Sequence, residues 1–247
     1  MRNSSFFSSE NLSKSFGKLR ALDGVTLNLN KSEVLGLIGP NGSGKTTFIN
    51  VVSGVYKSES GEIYLDGVPL NGIKPYKLCR MGVSRTFQTP KPFTTLTVEE
   101  NLKTAAFFGS RDKRDVRRNT SSVVEEVLQM LDLFELREKQ ASSLNSFQKK
   151  MLDLGRALAT KPKILLLDEL AAGLNLEEML KVKKLIDHLK ETGVSIIVVE
   201  HIMKFIRDVA DRVVVLNMGR KIYDGDFRGA AEDDTVREVY LGKRTGA

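Results

Sequence analysis

The sequence predicts an α/β fold, with a mostly parallel sheet and helices on both of its faces. Three observations carry this. "EVLGLIG" and "KILLLD" are continuous apolar runs ended by glycine or acid, and "VSIIVVE" and "DRVVVLN" read the same way, as suits strands buried on both sides. Helical apolar periodicity spans Thr46–Val55, Ser121–Leu133, Phe147–Ala159 and Glu177–Lys190, so strands alternate with helices. Two stretches depart from the pattern. "VTLNLN" (Val25–Asn30) alternates as a half-exposed strand does, and "GEIYLDGVPL" is closed by Asp66-Gly67, a hairpin turn signal. Both predict an antiparallel β annex near the N-terminal half. Residues 90 to 143 lack strand patterns and read as helices and loops.

With 247 residues, 41% of them hydrophobic and 28% charged, the chain can bury a substantial core. The longest apolar runs, Ile164–Leu167 and Ser195–Val199, fall far short of the roughly 20 residues that cross a bilayer. "MRNSSFFSSENLSKSF" has no secretory apolar region, and one cysteine, Cys79, permits no internal disulfide. A soluble cytoplasmic protein is expected. The net charge of +7 and pI near 9.4 favour anionic partners without naming one. The basic cluster Arg111, Lys113, Arg114, Arg117 and Arg118 reads as a solvated face, or more weakly as a surface near lipid headgroups. No recognition motif or aromatic platform accompanies it, so nucleic acid is not expected.

"GPNGSGKT" matches G-x-x-x-x-G-K-[ST] without a gap, after an apolar strand and before a helix. Phosphates are held by successive backbone N–H groups at a helix N-terminus, where side chains would block the approach. Gly39, Pro40, Asn41, Gly42, Ser43, Gly44, Lys45 and Thr46, with Thr47 beside them, are the expected nucleotide-binding residues. Lys45 would reach the terminal phosphates and the Thr46 hydroxyl would ligate Mg²⁺. The matching acid should end a buried strand, and "ILLLDE" supplies it. Asp168 would hold Mg²⁺ through water, and Glu169 would polarise an attacking water. The expected core is of the P-loop NTPase (RecA-like) type, and the expected cofactors are ATP and Mg²⁺.

From these motifs onward the chain resembles an ABC-transporter ATPase subunit. More narrowly, "ALDGVTL", "GVSRTFQTPKPFTTLTVEENL", "LLLDELAAGLN", "EHIMKFIRDVADRVVVLNMGRKIYDG" and "VREVYLG" resemble the ATP-binding subunits of branched-chain amino acid importers. The resemblance covers nearly the whole chain. It implies that Phe16 of "LSKSFG" stacks on adenine, and that Gln88 of "RTFQ" senses Mg²⁺ or the attacking water. It further implies that Asn175 of "AAGLN" lies near an opposed subunit and that His201 of "VVEHIMKF" is the switch toward the γ-phosphate. Each has a plainer reading: Phe16 as a strand-edge cap, Gln88 as an exposed glutamine, His201 as a structural histidine. His188 reads as a surface residue and Cys79 as a small buried one.

"LNSFQ" is the departure. The family signature is of the type L-S-x-G-Q, opening a helix whose N-terminus meets the ATP held by the other subunit. Asn145, Ser146, Phe147 and Gln148 stand at these places. Asparagine is a tolerable N-cap, but Phe147 puts a ring where glycine lets the backbone approach. Phe147, Met151, Leu154 and Leu158 also form a helical apolar stripe, so the ring could instead turn inward. The expectation taken forward is that this chain's own site is complete and the opposite site weak. Leu170, where proline usually follows the catalytic glutamate, frees one backbone N–H and φ.

The resemblance implies one ABC ATPase domain. Residues of about 1–88 and 160–247 would form the nucleotide-binding core with its β annex, and about 89–159 a helical subdomain carrying LNSFQ. It implies ATP hydrolysis coupled to import, at the inner face of the cell membrane. The expected partners are transmembrane permease subunits, a second ATPase subunit (a heterodimer being the more economical guess) and, indirectly, a substrate-binding protein. Two alternatives stay open: a nucleotide-responsive subunit with little hydrolysis, and a soluble ABC ATPase outside transport.

Overall fold

The computed structural model of the chain describes residues 6–109 and 116–241. The basic cluster from Arg111 to Arg118 lies outside the residues whose side chains are described. The chain opens with strands β1 (Phe7–Phe16) and β2 (Leu19–Leu29), then β3 (Val34–Ile38) and helix α1 (Lys45–Val52). β4 (Ser60–Leu65) and β5 (Val68–Pro69) follow, then α2 (Pro75–Met81) and β6 (Val83–Arg85). Helices α3 (Val98–Gly109), α4 (Val116–Met130) and α5 (Ser146–Leu158) precede β7 (Ile164–Asp168). The rest runs α6 (Leu176–Glu191), β8 (Ser195–Val199), α7 (Met203–Val209), β9 (Arg212–Asn217), β10 (Arg220–Gly225), α8 (Phe227–Glu232) and α9 (Asp234–Leu241).

Two sheets organise these elements. The six-stranded sheet has the order β10-β9-β3-β8-β7-β6, parallel throughout except for β10. Its four predicted strands are the continuous apolar runs. Their residues alternate between two buried layers: Leu35, Leu166 and Ile197 face the annex and α1, whereas Val34, Leu165 and Ile196 face the layer that includes α3, α4 and α5. The annex is the four-stranded antiparallel sheet β2-β1-β4-β5. Asp66 and Gly67 turn β4 into β5 with φ of 50° and 74°, the paired positive φ that a tight hairpin turn demands.

Of the four predicted helices, α5 and α6 begin and end within one residue of their predicted limits, and α4 begins at Val116, five residues before the predicted Ser121. α1 stops at Val52 because Gly54, at φ 73°, breaks the helix. α4 stops short of Leu133 because Asp132 turns left-handed at φ 55°. Among the described residues no helix is long and apolar enough to cross a membrane.

The topology brings one edge of the parallel sheet together. β3, β6, β7 and β8 all end there, and each is followed by a loop from the sequence motifs. Leu37 of β3 and Asp168 of β7 both pair with Val199 of β8. The crevice beyond the carboxyl ends of parallel strands is where open α/β sheets bind ligands.

Candidate functional site

The phosphate loop runs from β3 into α1. Gly39 has φ 148°, and a Cβ there would lie 2.1 Å from Leu216 O; Gly44 has φ 108°, and its Cβ would lie 2.5 Å from Ala21 O. Only glycine lets the loop nestle against β9 and the β1–β2 hairpin at these points. The turn after β9 secures the loop further, because Gly219 N–H donates to Ser43 O at 3.0 Å. Gly42 faces open space, and Thr46 is exposed in the first turn of α1. Lys45 is buried, and its ammonium donates to Gly39 O (2.7 Å) and Pro40 O (3.0 Å). Burial lowers the Lys45 pKa, opposed by the nearby Glu169 and Asp168 carboxylates. An ammonium held by carbonyls at the mouth of a helix N-terminus is arranged to exchange them for an anion.

Asp168 ends β7 and is 3% exposed. Burial raises its pKa, Arg85 opposes that, and Glu169 adds to it. Glu169 leaves the strand with φ 53°, a left-handed conformation unusual outside glycine. Its N–H still donates to Val199 O at 2.9 Å, so the backbone is pinned while the side chain swings across the sheet edge. There both carboxylate oxygens are engaged. Gln88 Nε2 donates to Oε2 at 2.6 Å, and His201 Nε2 lies 2.9 Å from Oε1. Gln88 follows β6 and His201 follows β8, so three separated motifs converge on one acid.

The other expected positions divide. Phe16 ends β1, 42% exposed, with its ring edge-on to Tyr56 at 5.2 Å and the Lys14 ammonium 5.3 Å from its centroid. Asn175 N-caps α6, with Oδ1 accepting Glu178 N–H while Glu178 Oε2 accepts Asn175 N–H, both at 3.0 Å. Asn145 caps α5 in the same way with Gln148, at 2.8 and 3.0 Å. Ser146 and Phe147 then supply the first-turn N–H groups that a helix leaves without an internal partner. The Phe147 ring is half-buried and packs against the core that holds Met151, Leu154 and Leu158. His188 is exposed, whereas Cys79 is half-buried rather than buried.

Arg85, Lys150 and Glu200 were not singled out by sequence reasoning. Arg85 bonds Asp168 Oδ2 at 3.2 Å, Asn50 Oδ1 at 2.7 Å and Ser53 Oγ at 3.0 Å. Glu200, beside His201, is 1% exposed, and burial raises its pKa to about 7. Among the described residues no three His, Cys, Asp or Glu side chains gather as a metal cage. A cation here would therefore be held by few protein groups, Thr46, Asp168 and Gln88, together with substrate oxygens and water. That donor set fits a hard ion such as Mg²⁺.

A glycine-rich phosphate loop and a strand-terminal acid on one parallel sheet define a nucleotide-binding cassette. The family model described as ABC transporter matches residues 22–172, and the chain belongs to that family. It is 36% identical over 250 residues to the high-affinity branched-chain amino acid transport ATP-binding protein BraF of Pseudomonas aeruginosa, covering 94% of this chain and 96% of that one. It is 37% identical over 240 residues to LivG of Escherichia coli, of the same description, covering 92% and 94%. Among solved structures, a nucleotide-free ATP-binding cassette from an ABC transporter superposes with a TM-score of 0.86 at 31% identity, covering 97% of this chain and all of that one. The ADP conformation of such a cassette superposes at 0.85, also at 31% identity, covering 98% of this chain and all of that one.

Proposed function

We propose that this chain is the ATP-binding and hydrolysing subunit that energises an ABC importer for branched-chain or similar apolar amino acids. The observation that carries the reading is the grip of Gln88 and His201 on the two oxygens of Glu169. A carboxylate oriented by two side chains is placed to accept a proton from water as it attacks a terminal phosphate, while Lys45 meets the growing phosphate charge. The products are ADP and inorganic phosphate. Mg²⁺, when bound, neutralises phosphate oxygens beside Thr46 and Asp168. Phe16 is assigned to adenine, and Asn175 to the face toward a second ATPase subunit. The N-terminus of α5, in the helical subdomain of about residues 89–159, is assigned to that subunit's nucleotide.

The substrate class rests on the BraF and LivG relatives. The membrane partner is assigned to the groove of about 350 Å³ lined by Arg85, Phe87, Ala105, Phe108, Asp153 and Arg156. Phe87 and Phe108 are 48% and 63% exposed there. By the same reading the assembly contains permease subunits, a second ATPase subunit, most economically a different one, and a substrate-binding protein outside the membrane. A second reading, ATP binding with little hydrolysis, is favoured by Phe147 alone.

The test compares Mg-ATP binding and steady turnover of the native chain with Glu169→Gln. Retained binding with turnover lowered about a hundredfold or more supports the enzyme. Binding without turnover in both proteins supports the second reading. Absence of Mg-ATP binding by the native chain overturns both.

A further inference from the structure

The segment that leaves Glu169 carries buried peptide groups with neither helix nor strand to satisfy them. Leu170 and Ala171 are buried, and the chain there runs through turns. Buried backbone donors and acceptors require partners; the buried Leu170 carbonyl and Ala171 N–H, and the carbonyl of the exposed Ala172, are taken by two side chains. Lys150, in the second turn of α5, donates through Nζ to Leu170 O at 2.9 Å and to Ala172 O at 2.5 Å. Glu200, at the end of β8, accepts Ala171 N–H on Oε1 at 2.5 Å. Both side chains are themselves buried. A buried ammonium or carboxylate is tolerated only where hydrogen bonds replace water, and charge-assisted bonds are the strong ones.

The placement of the two residues says what they hold together. Lys150 belongs to the helix capped by Asn145. Glu200 precedes His201, which already meets Glu169. Leu170 packs into the core on the apolar side of the same segment, and Ala172 leads on to Asn175. We propose that Lys150 and Glu200 are positioning residues that clamp Leu170–Ala172, so that Glu169 and Asn175 move as one body with α5 and its N-terminus. The clamp itself is local geometry. Its consequence rests on the ATPase reading above: α5 serves the partner's nucleotide and Glu169 this chain's own, so one rigid body spans both sites.

A purely structural Lys150 would satisfy two carbonyls and stabilise the whole fold without linking these segments. Amide hydrogen exchange separates the two roles. It is followed in peptides covering 168–176 and 144–152, with and without Mg-ATP, for the native chain, Lys150→Met, Lys150→Arg and Glu200→Gln. In the native chain Mg-ATP slows both peptides together. Lys150→Met speeds exchange of 168–176 by about tenfold and uncouples it from 144–152, and Lys150→Arg restores the link. Glu200→Gln keeps an oxygen acceptor for Ala171, so the two peptides stay coupled in it.

In turnover, Lys150→Met lowers kcat by about tenfold to a hundredfold while the Kd for Mg-ATP stays within about threefold, because the phosphate loop is untouched. Faster exchange spread evenly over all core helices and strands overturns the proposal, as does preserved coupling in Lys150→Met. Failure of the native chain to bind Mg-ATP is a separate result. It overturns the nucleotide reading, and the ATP-free comparison of the two peptides still decides the clamp.

Discussion

Arg85 and Asp168 face each other across neighbouring parallel strands, Nη2 3.2 Å from Oδ2, with side chains only 11% and 4% exposed. The same guanidinium reaches Asn50 and Ser53 at the far end of α1, and it stacks over Phe87 at 4.6 Å. One cation therefore ties the phosphate-loop helix, the strand-terminal acid and the segment leading to Gln88. Arg85 also lines the groove proposed for the membrane partner, so on that proposal the acid and the docking surface share a residue.

Arg85→Met leaves Asp168 buried without its cation. Removing one partner of a buried pair destabilises by about 3 kcal/mol, which urea unfolding reads directly. The Asp168 carboxyl, already pushed up by burial, rises further once its opposing charge is gone. Arg85→Lys restores the charge but not the planar fork that reaches Asn50 and Ser53 together, so it recovers only part of the loss. Equal stability of native and Arg85→Met proteins would refute this account.

Glu200 makes stability depend on pH in a sense opposite to most carboxylates. Its folded pKa, about 7, lies above the ordinary value of 4.5, with burial as the first cause. The folded chain therefore holds this proton more tightly than the unfolded chain. Between those values the folded state binds more protons, so the stability due to this group falls as pH rises from about 4.5 to about 7 and stays low above that. The full swing is on the order of 3 kcal/mol. Hydrogen bonds from Ala171 and His201 and the Lys150 charge favour the carboxylate, and Glu169 disfavours it. Glu200→Gln removes the swing. Relative to the native chain, its melting temperature gains between about pH 4.5 and pH 7 and the gain levels off above that, and parallel melting curves at all pH values would refute the assignment.

Gly44→Ala tests the seat of the phosphate loop. The added Cβ meets backbone, Ala21 O at 2.5 Å, at a φ of 108° that alanine resists. No rotamer relieves such a clash, so the loop or the hairpin must move. A loss on the order of 2 kcal/mol is expected, with Mg-ATP affinity falling more than stability because the N-terminus of α1 is displaced. Unchanged nucleotide affinity would show that the close approach is dispensable.

Glu169 was read from the strand-terminal run "ILLLDE", whereas Gln88 and His201 were named only through the family resemblance; the three side chains meet because each follows a strand of one parallel sheet, and parallel strands share an end. β3, β7, β8 and β9 announced themselves as unbroken apolar runs. β1 did not, because register shifts at Ser9, Leu12 and Lys14 break the alternation that "FSSENLSKSF" would otherwise show. β6 is only three residues long, below what periodicity resolves. Lys150 and Glu200 were illegible for a different reason: their partners are peptide groups, which no sequence marks, and a lysine in "QKKML" looks like any solvated helix residue. Arg85 lay inside a recognised motif, yet its partner Asp168 is 83 residues away.

Phe147→Gly separates obstruction from packing at the N-terminus of α5. The ring is half-buried against the core, so it does not stand free in front of the first-turn N–H groups of Ser146 and Phe147. Losing it removes roughly half of a full phenylalanine burial, about 1 kcal/mol, and glycine in a helix adds up to about 1 kcal/mol. Thermal or urea unfolding should therefore show a loss of about 2 kcal/mol. Turnover should move the other way. On the proposal that the N-terminus of α5 meets the partner's nucleotide, the native Phe147 Cβ, where the family signature has glycine, would keep the backbone from a phosphate even with the ring turned inward. A less stable Phe147→Gly protein with faster Mg-ATP hydrolysis would mean that LNSFQ trades catalysis at the partner's site for packing. Loss of stability with unchanged turnover would mean that a capped helix N-terminus suffices without glycine, and that Asn145 together with the first-turn N–H groups of Ser146 and Phe147 forms a working signature.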